Sequence, residues 1–281
     1  MNWSAISAVN NEEVLQNCLL KSPCIHGAAE LILQRGFTSS AAAYNSGIDK
    51  ATTDLLVFAH QDVYLPEAWF SAVENAVEII SKTDPTWGVL GLWGIRPSGE
   101  GAGFVYDGYG RSVLGTHFQG GLEVQSLDEL VLITRKSSRL RFDERLGGFH
   151  MYGPDICLEA KRRGMKSYAI SAFCLHNTNE YWMLPLGFWR SYLAMRRKWK
   201  AHLPIRTACT EITRWCYPMI RWNVTRAINL ATGRDKPPVK RVKDPSELYR
   251  DLVRSGLVTN LVPLDRGMAS ATTANAGVFV G

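Results

Sequence analysis

No stretch of this 281-residue chain approaches roughly 18 uninterrupted apolar residues, so no segment reads as a membrane-spanning helix. The longest candidate, Trp182 to Met195, is interrupted by Arg190 and followed at once by Arg196, Arg197 and Lys198. No C-x-x-C pair occurs among the six cysteines, which excludes a zinc ribbon. Their wide spacing excludes a disulfide-stapled framework and reads as free thiols in a reducing compartment. Met1 to Val9 has no basic start and is too short for a secretory leader, so the expected location is cytoplasmic. Gly99-Glu-Gly-Ala-Gly103 has neither a dinucleotide-type strand before it nor a helical pattern after it, and so is no nucleotide loop. With 46% hydrophobic and 21% charged residues, the chain as a whole is not disordered.

Acidic residues are scarce in the last third. Residues 1–181 carry a balance of −5, whereas residues 182–281 carry +11, together with Trp182, Trp189, Trp199, Trp215 and Trp222. Interleaved Trp and Arg suit the headgroup layer of an anionic membrane, and a basic helical hairpin packed on the core is the plainer alternative. Nucleic acid is not an expected partner. The chain divides on this pattern into residues 1–181, a basic helical extension over 182–262, and a small, polar tail over 263–281 that reads as disordered.

The first 180 residues alternate short apolar runs with helical patterns. Ala5 to Val9 and Ala29 to Leu33 read as strands, and Asn10-Asn11-Glu-Glu starts a helix. Ser39 to Lys50 is helical, Asp54 to Ala59 is a strand buried on both faces, and Pro66 to Ser81 is helical again. Further strands are expected at Trp87 to Trp93 and Leu130 to Thr134, a loop or hairpin at Pro97 to Gly110, and a helix at Asp155 to Arg163. This order indicates an α/β fold with a mostly parallel sheet flanked by helices. Ligands on such sheets bind beyond the carboxyl ends of the strands.

At one such end an apolar strand runs into His60-Gln61-Asp62. Two potential metal ligands two residues apart suit a divalent cation that keeps water and phosphate oxygens as its other ligands. An Asp that merely ends the strand and caps the next helix is the alternative.

These residues, in their order, resemble the GT-A-fold (Rossmann-like) glycosyltransferases, in particular family-2-like members. His60-Gln-Asp62 stands in place of the family's Asp-x-Asp motif. Gly36 to Ala51 resembles the family's Ala-x-Asn-x-Gly helix, with Asn45 and Gly47 at the matching positions. Phe142-Asp-Glu through Asp155-Ile-Cys-Leu158 resembles the acidic segment that follows, and His176 stands where the family often has a His. The resemblance covers about residues 4–180.

The resemblance implies transfer of a glycosyl group from a nucleotide-sugar donor to a hydroxyl of a glycan or lipid-linked acceptor, with inversion. It implies a Mn²⁺ or Mg²⁺ site formed by His60, Asp62 and His176, and imidazole ligands favour Mn²⁺. Asn10, Arg35, Asn45, Gln61 and Asp62 fall at its donor-binding positions. Asp155 falls at the base position, with a helix-capping role as the alternative, and Asp128 and Glu129 are rivals for the base. Many relatives have an acid where this chain has Gly153, which leaves the identity of the base open. A nucleotide-sugar or glycan binding domain without turnover is the competing reading, and peripheral contact with the inner face of an anionic membrane is a further expectation.

Overall fold

The computed structural model describes residues 1–179, 184–234 and 240–258. Along the chain run β1 (Trp3–Val9), α1 (Glu12–Asn17), β2 (Glu30–Arg35), α2 (Ser40–Lys50), β3 (Leu55–Ala59) and β4 (Val63–Tyr64). Then come α3 (Trp69–Thr83), β5 (Val89–Gly91), β6 (Trp93–Ile95), β7 (Gly101–Asp107), β8 (Ser112–Gly115), β9 (Gly121–Glu123), β10 (Ser126–Leu127) and β11 (Val131–Arg135). After these follow α4 (Tyr152–Arg162), β12 (Ser167–Ile170), β13 (Cys174–His176), α5 (Leu186–Lys198), β14 (Ile205–Arg206), β15 (Glu211–Ile212), α6 (Tyr217–Ala231) and α7 (Pro245–Arg254). The tail expected over 263–281 lies outside the described residues.

The main sheet has the order β2-β1-β3-β11-β5-β12-β9. β1 pairs in parallel with β2 and β3, and β12 in parallel with β5. β11 runs antiparallel to both β3 and β5, and β9 runs antiparallel to β12. The α/β architecture is therefore present, but the sheet is mixed where a mostly parallel one was expected. Hydrophobic periodicity fixes a strand's burial but not its direction, and β11 enters between two strands that sequence order does not pair with it.

Alternation along the strands builds two cores. Ile6, Leu56, Phe58 and Leu132 face α2, α4 and α5 on one side, where Tyr44, Tyr152, Tyr192 and Met195 pack. Ala5, Val57, Ala59 and Ile133 face α1 and α3 on the other, with Leu15, Trp69, Val73 and Ile80. Each such Leu, Ile or Phe, fully buried, contributes about 1.5–3 kcal/mol of transfer free energy. Val57 is buried completely on its face and Phe58 almost completely on the other, which explains the unbroken apolar run of β3.

A second sheet has the order β10-β6-β7-β13-β4, with β8 on β7. The glycine-rich stretch forms its hairpins. Gly103 has φ +141°, and a Cβ there would lie 2.0 Å from the Leu92 carbonyl oxygen, so glycine lets the backbones of this hairpin approach closely. Among the described residues no disulfide forms, and no helix is long and apolar enough to cross a membrane.

Candidate metal and active site

The turn between β3 and β4 carries His60, Gln61 and Asp62. β13 pairs antiparallel with β4 and sets His176 opposite Val63. His60 and Asp62 and the sequence-distant His176 thereby present ligand atoms that all lie within 4.8 Å of one another. Asp62 Oδ1 is 3.8 Å from His60 Nδ1 and 3.6 Å from His176 Nε2. Two ligands on one small cation, each about 2.1 Å away, stand no more than about 4.2 Å apart, so both separations fit a shared ion.

The electrostatics match that use. Burial pushes the Asp62 carboxyl up, but His176, His60 and Arg241 outweigh it and hold it well below the usual carboxylate range. Burial pulls His60 down to about 4 against the opposing pull of Asp62, so its imidazole is neutral with a lone pair to give. His176 shifts upward, because the Asp62 charge and hydrogen bond overcome burial. Two imidazoles and one ionised carboxylate form a mixed N/O donor set suited to a divalent transition ion.

Two residues that the sequence did not single out complete the surroundings. Tyr152 Oη lies 2.5 Å from His60 Nε2 and donates to the Glu129 carbonyl at 3.3 Å. Arg241 donates through Nη2 to Asp62 Oδ2 at 2.8 Å and through Nε to the Asn177 carbonyl at 2.9 Å. Asn177 in turn exchanges hydrogen bonds with Val242, both at 2.9 Å. The segment carrying Arg241 is thus tied to the cation cluster from 179 residues away. An aromatic at a helix start and one arginine in a basic stretch carry no local signal of such roles.

Asp128 and Glu129 border the cluster. The Asp128 charge acts on His60, His176 and Glu129 alike, and its Oδ1 accepts from the Leu130 amide at 3.1 Å. Glu129 turns toward the start of α4 and accepts from the Gly153 amide at 3.4 Å. Burial, then the Asp128 charge, raise its carboxyl to about 8 against the backbone donors of Gly153, Met151 and Tyr152. A Cβ on Gly153 would lie 3.0 Å from Glu129 Cγ and 2.6 Å from the Leu127 carbonyl oxygen. The space beside Gly153 is therefore filled from β11's approach, by Glu129. The approach to α4 is a tight loop in which Gly147, Gly148 and Met151 all have positive φ. Met151, at φ +68°, is a non-glycine residue in the left-handed region, at a cost of about 1–2 kcal/mol.

Asp155 has other partners than the expected base position implies. It is 1% exposed; Oδ1 accepts from Trp199 Nε1 at 2.7 Å, and Lys198 Nζ reaches its two oxygens at 2.7 and 2.9 Å. Lys198 also contacts Asp143 at 2.9 Å and Glu159 at 3.1 Å. Asp155 fastens α5 to α4 instead of facing the histidines. Asn45 is likewise committed to structure: Oδ1 accepts from the Phe142 amide at 3.0 Å, and Nδ2 donates to the Phe142 carbonyl and Glu144 at 2.9 Å. Its amide holds the 142–146 segment on α2.

Gln61 and Asn10 lie together, as adjacent strand ends require. Gln61 Oε1 accepts from the Asn10 and Asn11 amides, both at 3.0 Å, and Gln61 Nε2 donates to Asn10 Oδ1 at 2.5 Å. Arg35, exposed at the end of β2, pairs with Glu12. Its neighbour Gln34 is buried, accepts from Lys50 at 3.0 Å, and has no partner for Nε2 among the described residues.

Residues 4–185 match the model of a family described as "Glycosyltransferase like family". The chain belongs to that family. Membership supports glycosyl transfer as its class of reaction, and the site lies wholly on matched residues except for Arg241. The chain is also 32% identical, over 130 residues, to the "ATP synthase subunits region ORF 6" protein of Fuscovulum blasticum. That alignment covers 43% of this chain and 50% of the relative, so the chain matches half of that curated protein's length. Similar solved structures include GalNAc-T7 with UDP, GalNAc and Mn²⁺, at 12% identity and a TM-score of 0.45 over 63% of this chain and 44% of that one. Another is residues 1–349 of S. aureus TarS in complex with UDP, at 14% identity and a TM-score of 0.42, covering 62% of this chain and 60% of that one.

Proposed function

We propose that this glycosyltransferase-family protein transfers a sugar from a nucleoside-diphosphate donor to a hydroxyl of a glycan or lipid-linked acceptor, with inversion. The observation that carries the reading is the convergence of His60, Asp62 and His176 at a strand end, with Asp128 acting on both histidines. Mn²⁺ or Mg²⁺ held by those three side chains would supply positive charge to the leaving diphosphate. Tyr152 orients His60 through the hydrogen bond at Nε2, leaving Nδ1 on the Asp62 side. Gln61 and Asn10 stiffen the turn that presents the ligands, and Arg35, at the end of β2, is assigned to the donor.

Inversion needs a base on the face of the sugar opposite the diphosphate. We assign that role to Glu129 instead of Asp155. The acceptor oxygen gives its proton to the Glu129 carboxylate while its lone pair forms the new bond to the anomeric carbon. The bond from that carbon to the phosphate oxygen breaks, and its electron pair leaves with the diphosphate. Asp128 makes Glu129 a stronger base by like-charge repulsion. The acid missing at Gly153 favours a binding domain without turnover, but Glu129 occupies the space beside that glycine.

A thermal-shift screen of UDP-, GDP-, dTDP- and CMP-sugars, with and without Mn²⁺, tests the donor site. One nucleotide should stabilise the protein, more strongly with the metal. The stabilising donor then serves for turnover of Glu129→Gln, expected to fall about 10²–10⁴-fold with donor affinity retained. Absence of a shift with every donor would sink the donor site, and full activity of Glu129→Gln would sink the assignment of the base.

A further inference from the structure

The α5–α6 face has a chemistry unrelated to the catalytic reading. α6 buries only Met219. Its outward side carries Tyr217, Ile220, Val224 and Ile228, spaced three to four residues apart along one stripe. Each is at least half exposed, and Trp215, just ahead of the helix, is 76% exposed. From Leu184 to Arg234 the chain holds ten Lys and Arg and a single acid, Glu211. Beside the stripe a cavity of about 450 Å³ opens between α5 and the turn before α6. Leu193, Leu203 and Trp215 form its apolar wall, and Arg197, Lys200 and Arg214 line the rest, with Arg196. Arg196 donates to the Arg214 carbonyl at 2.9 Å, which fixes the turn against α5.

We propose that this face docks on an anionic lipid surface. α6 lies in the interfacial plane with its apolar stripe at the acyl boundary, and the cationic cavity receives a headgroup phosphate. Each alternative occupant lacks a match. A second copy meeting the same face would press like charges together. Residues 259–281 of this chain contain one Asp and one Arg, too little charge to complement the surface. A nucleic acid would satisfy the arginines but leave the stripe in water. A bilayer supplies negative charge outside and hydrocarbon beneath, at the depth where Trp and Tyr are favoured.

The test is co-sedimentation of the full chain with vesicles of phosphatidylcholine, alone or with phosphatidylglycerol. Binding should require the anionic lipid, weaken with salt, and shift Trp fluorescence to the blue. Arg197→Gln/Lys200→Gln/Arg214→Gln should lower affinity for the anionic vesicles about a hundredfold, at about fivefold per charge. Ile220→Ser/Val224→Ser/Ile228→Ser should lower it at least about tenfold and abolish the fluorescence shift. All six side chains are exposed, and an unchanged circular dichroism spectrum checks the fold. Equal binding to neutral vesicles, no binding, or retention by both triple variants would overturn the proposal. So would a solution dimer that the serine variant converts to monomer, or duplex DNA that binds parent and serine variant equally and displaces the vesicles.

Discussion

Two buried carboxylates in this molecule have opposite fates. Asp62 sits among His60, His176 and Arg241, and one of its oxygens faces two imidazoles. Asp155 sits against Lys198 and Trp199, and both of its oxygens accept hydrogen bonds. Each follows a family-like motif, and each is almost inaccessible to water. What separates them is the partner: two imidazoles that can themselves ligate a cation face Asp62, whereas an ammonium and an indole hold both oxygens of Asp155. The lesson is that an acid's role is read from what faces it. Lys198 stands beyond the matched residues 4–185, so the element that pairs with Asp155 is outside the segment that makes it look catalytic.

Four changes would break or sharpen that contrast. The largest effect belongs to Asp62→Asn, which keeps the shape and removes the charge. Metal-dependent turnover should fall on the order of a thousandfold, and Mn²⁺ titration should show the loss of affinity directly. Unchanged turnover would put the cation elsewhere.

Next comes Lys198→Met, which leaves Asp155 buried without its ammonium. Unfolding should become easier by about 3–5 kcal/mol by urea titration, with metal affinity unaffected. A variant of undiminished stability that lost turnover would return Asp155 to the catalytic group.

A smaller effect concerns pH. The folded pKa of Glu129 is raised to about 8 from an ordinary 4.5, by burial first and Asp128 second. The neutral form therefore favours the fold. That contribution is whole below about pH 4.5 and is lost as pH rises through about 8. Urea midpoints of the metal-free protein should decline across that window, and Glu129→Gln should flatten the decline. An identical slope in the variant would place the titrating group elsewhere.

The smallest is Arg241→Gln. Removing a cation from Asp62 Oδ2 should tighten Mn²⁺ binding several-fold and speed hydrogen exchange in 240–258, where Arg241 and Val242 hold the chain to Asn177. Weaker metal binding would mean that Arg241 serves to position Asp62.

Much of the scaffold was legible because it is periodic. The apolar run of β3, the alanine-rich α2 and the amphipathic α3 each announce their burial, and helix starts at Asn11 and Ser39 follow from their capping side chains. The Ser39 hydroxyl indeed accepts from the Ala42 amide at 3.3 Å. Less was legible at the site. His60 and Asp62 stood out because they end an apolar strand, and His176 because of its place in a familiar order. Asn45 stood out at a donor-binding position, and its amide meets Phe142 and Glu144 across 97 and 99 residues, a bracing contact that no local pattern announces. The direction of β11 was not readable either, because a strand buried on both faces has the same pattern in either orientation.

By itself the sequence did not determine β4, the strands between Ser112 and Leu127, or the split of Trp87–Trp93 into β5 and β6, but it determined β1, β2, β3 and β11, the helices α1 to α4, the family, and the strand end that carries His60 and Asp62. These depend on periodicity and on short-range order, which one segment contains. The tertiary structure decided which partners each acid meets. Only folding brings His176 and Arg241 to Asp62, Glu129 to the space beside Gly153, and Lys198 to Asp155. Hydrogen bonds and ion pairs act over about 3 Å, and no pattern within a segment specifies which distant residue will stand at that distance.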